Sequence, residues 1–196
     1  YVPIDEKHPL KPQSPYSASK IGADAIAMSY YYSFNLPITI ARPFNTYGPR
    51  QSARAVIPTI ITQIAGGKRK IKLGDTSTTR DFNFVEDTCM ALILIAKSKK
   101  TLGEVVNIGS NYEISIKDLF NTINKIMGNN SELVTDPNRL RPKTSEVLRL
   151  KCDNSKLIDF TKYKPSVNLE EGLKRTINWF QSKENLGNYK IDTYNI

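Results

Sequence analysis

The chain has 196 residues, 39% of them hydrophobic and 24% charged, the balance of a soluble globular protein rather than of a disordered, collagenous or wholly coiled-coil chain. Its net charge is +9, of which residues 51–100 contribute +5; this points to an anionic partner without choosing among nucleic acid, phosphorylated small molecules and acidic membranes. The longest apolar run, Met90–Ala96, falls well short of a bilayer span, one histidine and two cysteines cannot form a standard structural zinc site, and the opening YVPIDEKHPL is not a signal peptide, so a cytoplasmic setting with Cys89 and Cys152 as free thiols is expected.

Taken in chain order, the expected elements alternate between helical and extended, which argues for an α/β fold. Residues 1–13 read as a Pro-rich loop. Ser14-Pro15 predicts a helix start, with Ser as N-cap and Pro at the first helical position, and the helix runs to about Phe34. Leu36–Ala41 is short, apolar and β-branched and reads as a buried strand, followed by a polar turn, NTYGPRQS. Val56–Ile64 reads as a helix stopped by Gly66-Gly67, and Lys70–Leu73 as a short strand. Arg80–Val85 is extended, a helix follows from about Asp87 to Ala96, and Glu104–Ile108 is a strand. Ser115-x-x-Asp118 marks a capping-box helix start, with Leu119, Phe120, Ile123 and Ile126 on one face. A last amphipathic helix carries Leu169, Leu173, Ile177 and Phe180, and 185–196 read as a polar tail.

The sharpest chemical signal is Pro15-Tyr16-Ser17-Ala18-Ser19-Lys20. On a helix, Tyr16 and Lys20 share a face one turn apart. A free phenol titrates near pH 10 and is a poor base at neutrality. A nearby ammonium favours the phenolate, which can then take a proton from a sugar hydroxyl as a hydride leaves the same carbon. A bare Tyr-x-x-x-Lys is more often a solvated surface pair. Here the pair follows a Pro-capped start, and Ala18, Gly22, Ala23 and Ala27 suit close packing against a cofactor or helix.

Two further patterns stand out. Arg42-Pro43-Phe44-Asn45-Thr46-Tyr47-Gly48-Pro49-Arg50 follows a strand directly, where open parallel sheets place their ligands. Its Asn45 is either a ligand-facing amide or one more turn residue. Arg80, Arg139 and Arg141 are separated guanidinium groups suited to gripping a pyrophosphate, or else solvated charges. The basic run Gly67-Lys68-Arg69-Lys70-Ile71-Lys72 could meet nucleic-acid phosphates. It lacks interleaved aromatics for stacking and reads more simply as a solvated strand edge, so no nucleic-acid partner is expected.

In the order PYSASK, RPFNTYGPR, RDFNFVED, VNIGS and RLRPKTSEV, residues 1–184 resemble the extended short-chain dehydrogenase/reductases, and among these the NAD-dependent nucleotide-sugar epimerases and 4,6-dehydratases. The wording KIGADAIAMSYYYSFNLPITIARPFNTYGPRQSARAVIPTIITQIA is similar to the UDP-N-acetylglucosamine 4,6-dehydratase type. The resemblance implies the second half of an NAD-binding Rossmann domain over 1–52, rejoined by about 80–110. A small α/β nucleotide-sugar-binding domain would take most of 53–184. It implies Tyr16 as catalytic base, with Lys20 its partner and a ligand of the nicotinamide ribose. Pro43 and Phe44 would meet the nicotinamide end. Asn45 would bind substrate near the sugar diphosphate, Val56, Ile57, Lys72 and Leu73 would lie beside the base, Arg80 and Arg141 would hold the pyrophosphate, and Glu146 would lie near the ribose. It also implies a homodimer paired through the Tyr16 helix and the next helix.

The family's G-x-x-G-x-x-G phosphate loop is not among the ten glycines, and the acidic segment that separates 4,6-dehydratase from 4-epimerase is not present either. The expectation is therefore the C-terminal part of a nucleotide-sugar 4,6-dehydratase, with 4-epimerase as the alternative. Such a piece is expected to be inactive alone and to expose an apolar edge on the strand Leu36–Ala41.

Overall fold

A computed structural model describes residues 1–140 and 142–189. Arg141 and residues 190–196 lie outside the described residues. Helix α1 (Pro15–Phe34) starts where its cap chemistry requires: Ser14 Oγ accepts the Ser17 N–H at 3.1 Å, and Ser17 Oγ accepts the Ser14 N–H at 3.0 Å. It stops at Asn35, a left-handed cap at φ 52°. Not one of its residues is fully buried.

Strand β1 (Ile40–Pro43) pairs in parallel with β5 (Val105–Ile108), in the register Ile40↔Val105 to Pro43↔Ile108. The expected strand at 36–41 is therefore displaced toward the C-terminus. Pro37 has no N–H to give and the Ile38 N–H bonds back to the Leu36 carbonyl, so Ile38 joins the partner segment only through its carbonyl, which accepts the Gly103 N–H, and the strand ladder starts at Ile40, whose N–H reaches the Glu104 carbonyl. No strand among the described residues covers the other edge of β1.

The segment expected as a turn after β1 opens instead with strand β2 (Asn45–Tyr47), and the chain turns only at Gly48. Strand β2 pairs in parallel with the distal half of β4 (Thr79–Phe84), whose proximal half pairs antiparallel with β6 (Glu113–Ser115). Strand β4 thus changes partner between Asp81 and Phe82. A third, parallel pair joins β3 (Lys70–Leu73) to β7 (Glu132–Thr135); β6 and β7 carry no alternation long enough to announce them in the sequence.

Helices α2 (Val56–Ala65), α4 (Ile116–Ile126) and α6 (Leu169–Gln181) enclose the larger hydrophobic cluster. Ile57, Ile60, Ile61, Leu119, Ile123 and Leu173 fill it, sealed by Tyr47, Phe84 and Phe180. Helix α4 is N-capped by Ser115 as expected, but without the reciprocal bond of a capping box: Ser115 Oγ accepts the Asp118 N–H at 3.0 Å, and the Asp118 carboxylate accepts the Ser115 hydroxyl rather than its backbone N–H. The smaller cluster lies behind β1 and β5, where Val106 and Ile108 meet Ala91 and Ile95 of α3 (Val85–Lys97) and Leu157 of α5 (Ser155–Thr161). Part of the expected tail folds back. Helix α7 (Lys183–Gly187) returns Tyr189 onto Trp179 and Phe180 because an aromatic ring outweighs its polar neighbours. No helix among the described residues is long and apolar enough to cross a membrane.

Candidate active site and nucleotide-sugar cavity

The carboxyl ends of β1 and β3 and the start of β2 open toward two cavities. The larger, about 340 Å³, is lined by Asn45, Val56, Ile57, Leu73, Arg80, Arg139 and Glu146, which brings together seven of the residues singled out in the sequence. Gln51, Arg54, Asp75 and Thr78 complete much of its wall. Lys72 does not line it: its side chain is exposed, and its backbone is clasped by the Gln63 amide at 2.9 and 3.3 Å. Arg141 is outside the described residues, so its expected role has no geometry here.

Local chemistry sets each wall. Asn45 sits opposite Phe82 in the β2–β4 register, and its Nδ2 donates to the Asp81 carbonyl at 3.2 Å. That bond fixes the amide's orientation. Arg80, on the half of β4 that pairs with β6, donates from Nη2 to Glu146 at 2.8 Å and from Nη1 to the Thr79 and Val147 carbonyls at 2.8 and 2.7 Å. Both side chains of the Arg80–Glu146 pair are about 15% exposed, so a fixed guanidinium edge is presented at low water content. Arg139 is likewise oriented through Nε, 3.2 Å from Asp136, and its carbonyl is pressed against Gly74, where any Cβ would meet it at 2.4 Å. The Ser77 hydroxyl and amide hold the Asp75 carboxyl below its usual range. Arg54 forms no ion pair among the described residues. A wall of three guanidinium groups beside an apolar shelf of Val56, Ile57 and Leu73 suits a diphosphate attached to a flat base.

Behind the wall, Asp81 is completely buried. Its carboxylate accepts the Ser110 N–H (2.9 Å), the Ser110 hydroxyl (2.7 Å) and the Cys152 N–H (3.0 Å). Burial pushes this carboxyl up and the bonds from Ser110 and Cys152 pull against that. Further along, the buried Asp87 carboxylate accepts the Ser166 N–H and hydroxyl and the Val167 N–H. Neither signal is visible in sequence beyond the RDFNFVED motif itself.

The second cavity, about 240 Å³, is lined by Pro43 and Phe44 together with Arg42, Asn107 and residues of the 4–10 loop. Pro43 is exposed, and the Phe44 N–H closes on the Ile108 carbonyl at 2.8 Å. Tyr16 and Lys20 lie in neither cavity. They stand side by side on α1, with Lys20 Nζ 5.6 Å from the centre of the Tyr16 ring and the phenol 72% exposed. Among the described residues, no group of three or more His, Cys, Asp or Glu is placed to hold a metal ion. Cys89 is exposed and Cys152 buried, both unpaired.

The sequence model of the family described as GDP-mannose 4,6 dehydratase matches residues 1–176. The chain is 34% identical over 185 residues to a putative UDP-glucose 4-epimerase of Methanocaldococcus jannaschii, covering 93% of this chain and 58% of that protein. It is 31% identical over 191 residues to the dTDP-D-glucose 4,6-dehydratase of Homo sapiens, covering 95% and 53%. Among solved structures, dTDP-glucose 4,6-dehydratase from Bacillus anthracis in complex with NAD superposes with a TM-score of 0.81 at 34% identity, over 92% of this chain and 56% of that one. UDP-glucuronic acid 4-epimerase from Bacillus cereus, in complex with UDP-glucuronic acid and NAD, gives 0.83 at 29% identity, over 91% and 56%. The chain thus spans a little over half the length of the relatives it matches. The motifs, the mixed α/β architecture with parallel strand pairs and these matches agree: the chain belongs to the GDP-mannose 4,6-dehydratase family, nucleotide-sugar dehydratases and epimerases built on the Rossmann-type extended short-chain dehydrogenase/reductase fold.

Proposed function

We propose that this chain carries the Tyr–Lys pair and the nucleotide-sugar cavity of an NAD-dependent 4,6-dehydratase acting on a UDP-sugar, with UDP-N-acetylglucosamine as the substrate. The observation that carries the reading is the 340 Å³ cavity, where Asn45, Arg80 and Glu146 meet Val56, Ile57 and Leu73. In this reading residues 1–52 and about 80–110 serve the Rossmann part, and most of 53–184 serves the sugar nucleotide. Arg80, with Arg141, neutralises the diphosphate, whose charge matches a planar guanidinium fork. Glu146 orients Arg80 and accepts from the ribose. Asn45 binds near the sugar diphosphate, and Val56, Ile57 and Leu73 flank the base, with Lys72 turned outward from it.

NAD fits the residues present: Pro43 and Phe44 border a cavity at the end of a parallel strand, the position that open α/β sheets use for dinucleotides, and Lys20 offers a donor to the nicotinamide ribose one helical turn from Tyr16. When bound, NAD+ supplies the acceptor for the hydride from sugar C4. Tyr16 takes the C4 hydroxyl proton, giving a 4-keto sugar. That ketone acidifies the C5 proton; loss of the C5 proton and the C6 hydroxyl as water would leave a 4-keto-5,6-ene, and delivery to C6 of the hydride taken from C4, with a proton returned to C5, would give the 4-keto-6-deoxy product. Lys20 favours the phenolate through its charge. The whole protein works as a cytoplasmic homodimer, and these 196 residues alone give no turnover.

A second reading is 4-epimerisation, which shares the first step and then returns hydride to the other face of the ketone; it is supported by the likeness to the M. jannaschii and B. cereus proteins. The test incubates the full-length protein with NAD+ and UDP-N-acetylglucosamine and follows the alkali-induced absorbance of a 4-keto sugar. Accumulation of UDP-4-keto-6-deoxy sugar supports dehydration. The C4 epimer without keto product establishes the second reading. Turnover of dTDP-glucose or GDP-mannose alone overturns the UDP assignment.

A further inference from the structure

Strand β4 and the residue before it present two faces. On one, Thr79 Oγ1 donates to Glu113 and the Asp81 carboxylate accepts from Ser110 and Cys152. On the other, the alternate residues Thr78, Arg80 and Phe82 line the larger cavity. Phe82 stands opposite Asn45 in the β2–β4 register. The cavity face therefore runs from Asn45 beside Phe82, through Arg80 with its partner Glu146, to Thr78. Same-face neighbours on a strand lie about 7 Å apart. With Asn45 at the sugar end and Arg80 at the diphosphate, Thr78 falls on the nucleoside side, about one ribose beyond the phosphates.

Thr78 is 3% exposed, and the turn that delivers it is fixed. Asp75 accepts the Ser77 N–H at 2.8 Å and the Ser77 hydroxyl at 2.7 Å. At the start of α4, the Ile116 and Lys117 N–H groups donate to the Thr78 and Thr76 carbonyls, each at 3.0 Å. The other threonine hydroxyls of the cavity wall are engaged within the protein. Thr46 Oγ1 lies 3.1 Å from Thr88 Oγ1, and Thr59 Oγ1 donates to the Ala53 and Ala55 carbonyls. The Thr78 hydroxyl has no hydrogen-bond partner among the described residues. It is not sealed away either: among those residues the sealed, unpartnered side-chain atoms are Gln51 Oε1 and Tyr163 Oη. The opening left to Thr78 is the cavity it lines. Such a hydroxyl goes without its hydrogen bond until something bound there completes it. Its surroundings, Ile116 and the shelf of Ile57 and Leu73, are apolar and suit a flat ring.

We infer that Thr78 is a specificity-determining residue that reads the polar edge of the base. Its hydroxyl accepts the N3–H or donates to an adjoining carbonyl of a uracil, while Ile57 and Leu73 hold the ring. This rests on the nucleotide-sugar reading of the cavity and adds to it the group that recognises the base.

The test titrates full-length wild type, Thr78→Val and Thr78→Ser with UDP by calorimetry. The same proteins are titrated, by displacement of UDP, with ribose 5-diphosphate, which lacks the base. Thr78→Val should weaken UDP by about 3–10-fold, the worth of one neutral hydrogen bond, and leave ribose 5-diphosphate within about twofold. Thr78→Ser keeps the hydroxyl and should bind UDP within about twofold of wild type. The Tm of Thr78→Val should not fall, because no bond inside the protein is lost. Unchanged UDP affinity in Thr78→Val overturns the inference and leaves the nucleotide-sugar reading standing. Equal weakening of UDP and ribose 5-diphosphate also overturns it, since the hydroxyl then serves the ribose or the phosphates. A lowered Tm in Thr78→Val overturns its premise of a hydroxyl without a partner in the fold. Wild-type protein that binds neither probe contradicts the reading of the cavity itself, and the inference falls with it.

Discussion

Asp81→Asn is the most informative substitution away from the chemistry. The side chain is isosteric and completely buried, so volume does not change. Its carboxylate accepts two donors at Oδ1, both from Ser110, and one at Oδ2, the Cys152 N–H. An amide has only one acceptor oxygen. Whichever way it is turned, its NH2 must face an N–H donor and leave it unpaired inside the protein. An orphaned buried donor costs about 1–3 kcal/mol, and each remaining bond weakens as the acceptor loses its charge. Relief from burying an ionised carboxylate offsets part of this. The net expectation is a loss of about 2 kcal/mol, against total stabilities of about 5–15 kcal/mol for domains in general. The damage should centre where β4 changes partner, because Asn45 Nδ2 bonds the Asp81 carbonyl and Arg80 is the preceding residue. Urea denaturation gives the stability, and titration with UDP tests the cavity. A loss below about 0.5 kcal/mol, or tighter UDP binding, would refute the reasoning.

Other expectations follow from the same geometry. Gly172→Ala puts a methyl 2.1 Å from Tyr47 Oη and 2.9 Å from Phe84; overpacking of about 1–3 kcal/mol should outweigh the ~1 kcal/mol that alanine gains in a helix, read as a lowered Tm. Arg149 and Thr79 hold the Glu113 carboxyl below its usual 4.5. A lowered acid stabilises the fold above its unfolded value, so the small stability gap between wild type and Glu113→Gln should be complete at neutral pH and vanish as the pH falls through 4.5 and below. With a thiol reagent at pH 7.5, Cys89 should react readily. Cys152 should react only after denaturation, since burial and then the Asp81 charge push its thiol up.

Much of the molecule is legible in its residues because the signals are local. Ser14-Pro15 starts α1 at the residue expected, and the Leu119, Phe120 and Ile123 face of α4 is the buried one. What escapes is non-local. The first strand shifts because its partner, not its own propensity, decides where pairing begins. Strands β6 and β7 are too short to show alternation and exist through β4 and β3. The cavity wall was half readable: Asn45, Arg80 and Glu146 sit in motifs, whereas Gln51, Asp75 and Thr78 lie in ordinary polar loops and reach the site only through tertiary packing. Arg42 Nε on β1 donates to Asp24 Oδ2 on α1 at 2.7 Å, and no spacing rule links these two charges 18 residues apart.

The central claim is that the Tyr16 phenol moves the proton in sugar oxidation. Its side chain is largely exposed and makes no core contact, so Tyr16→Phe should leave Tm and nucleotide-sugar affinity unchanged. In the full-length protein with NAD+, turnover should fall by about 10²–10⁴-fold, the worth of a positioned general base. A Phe variant turning over within a factor of about three of wild type would contradict the account.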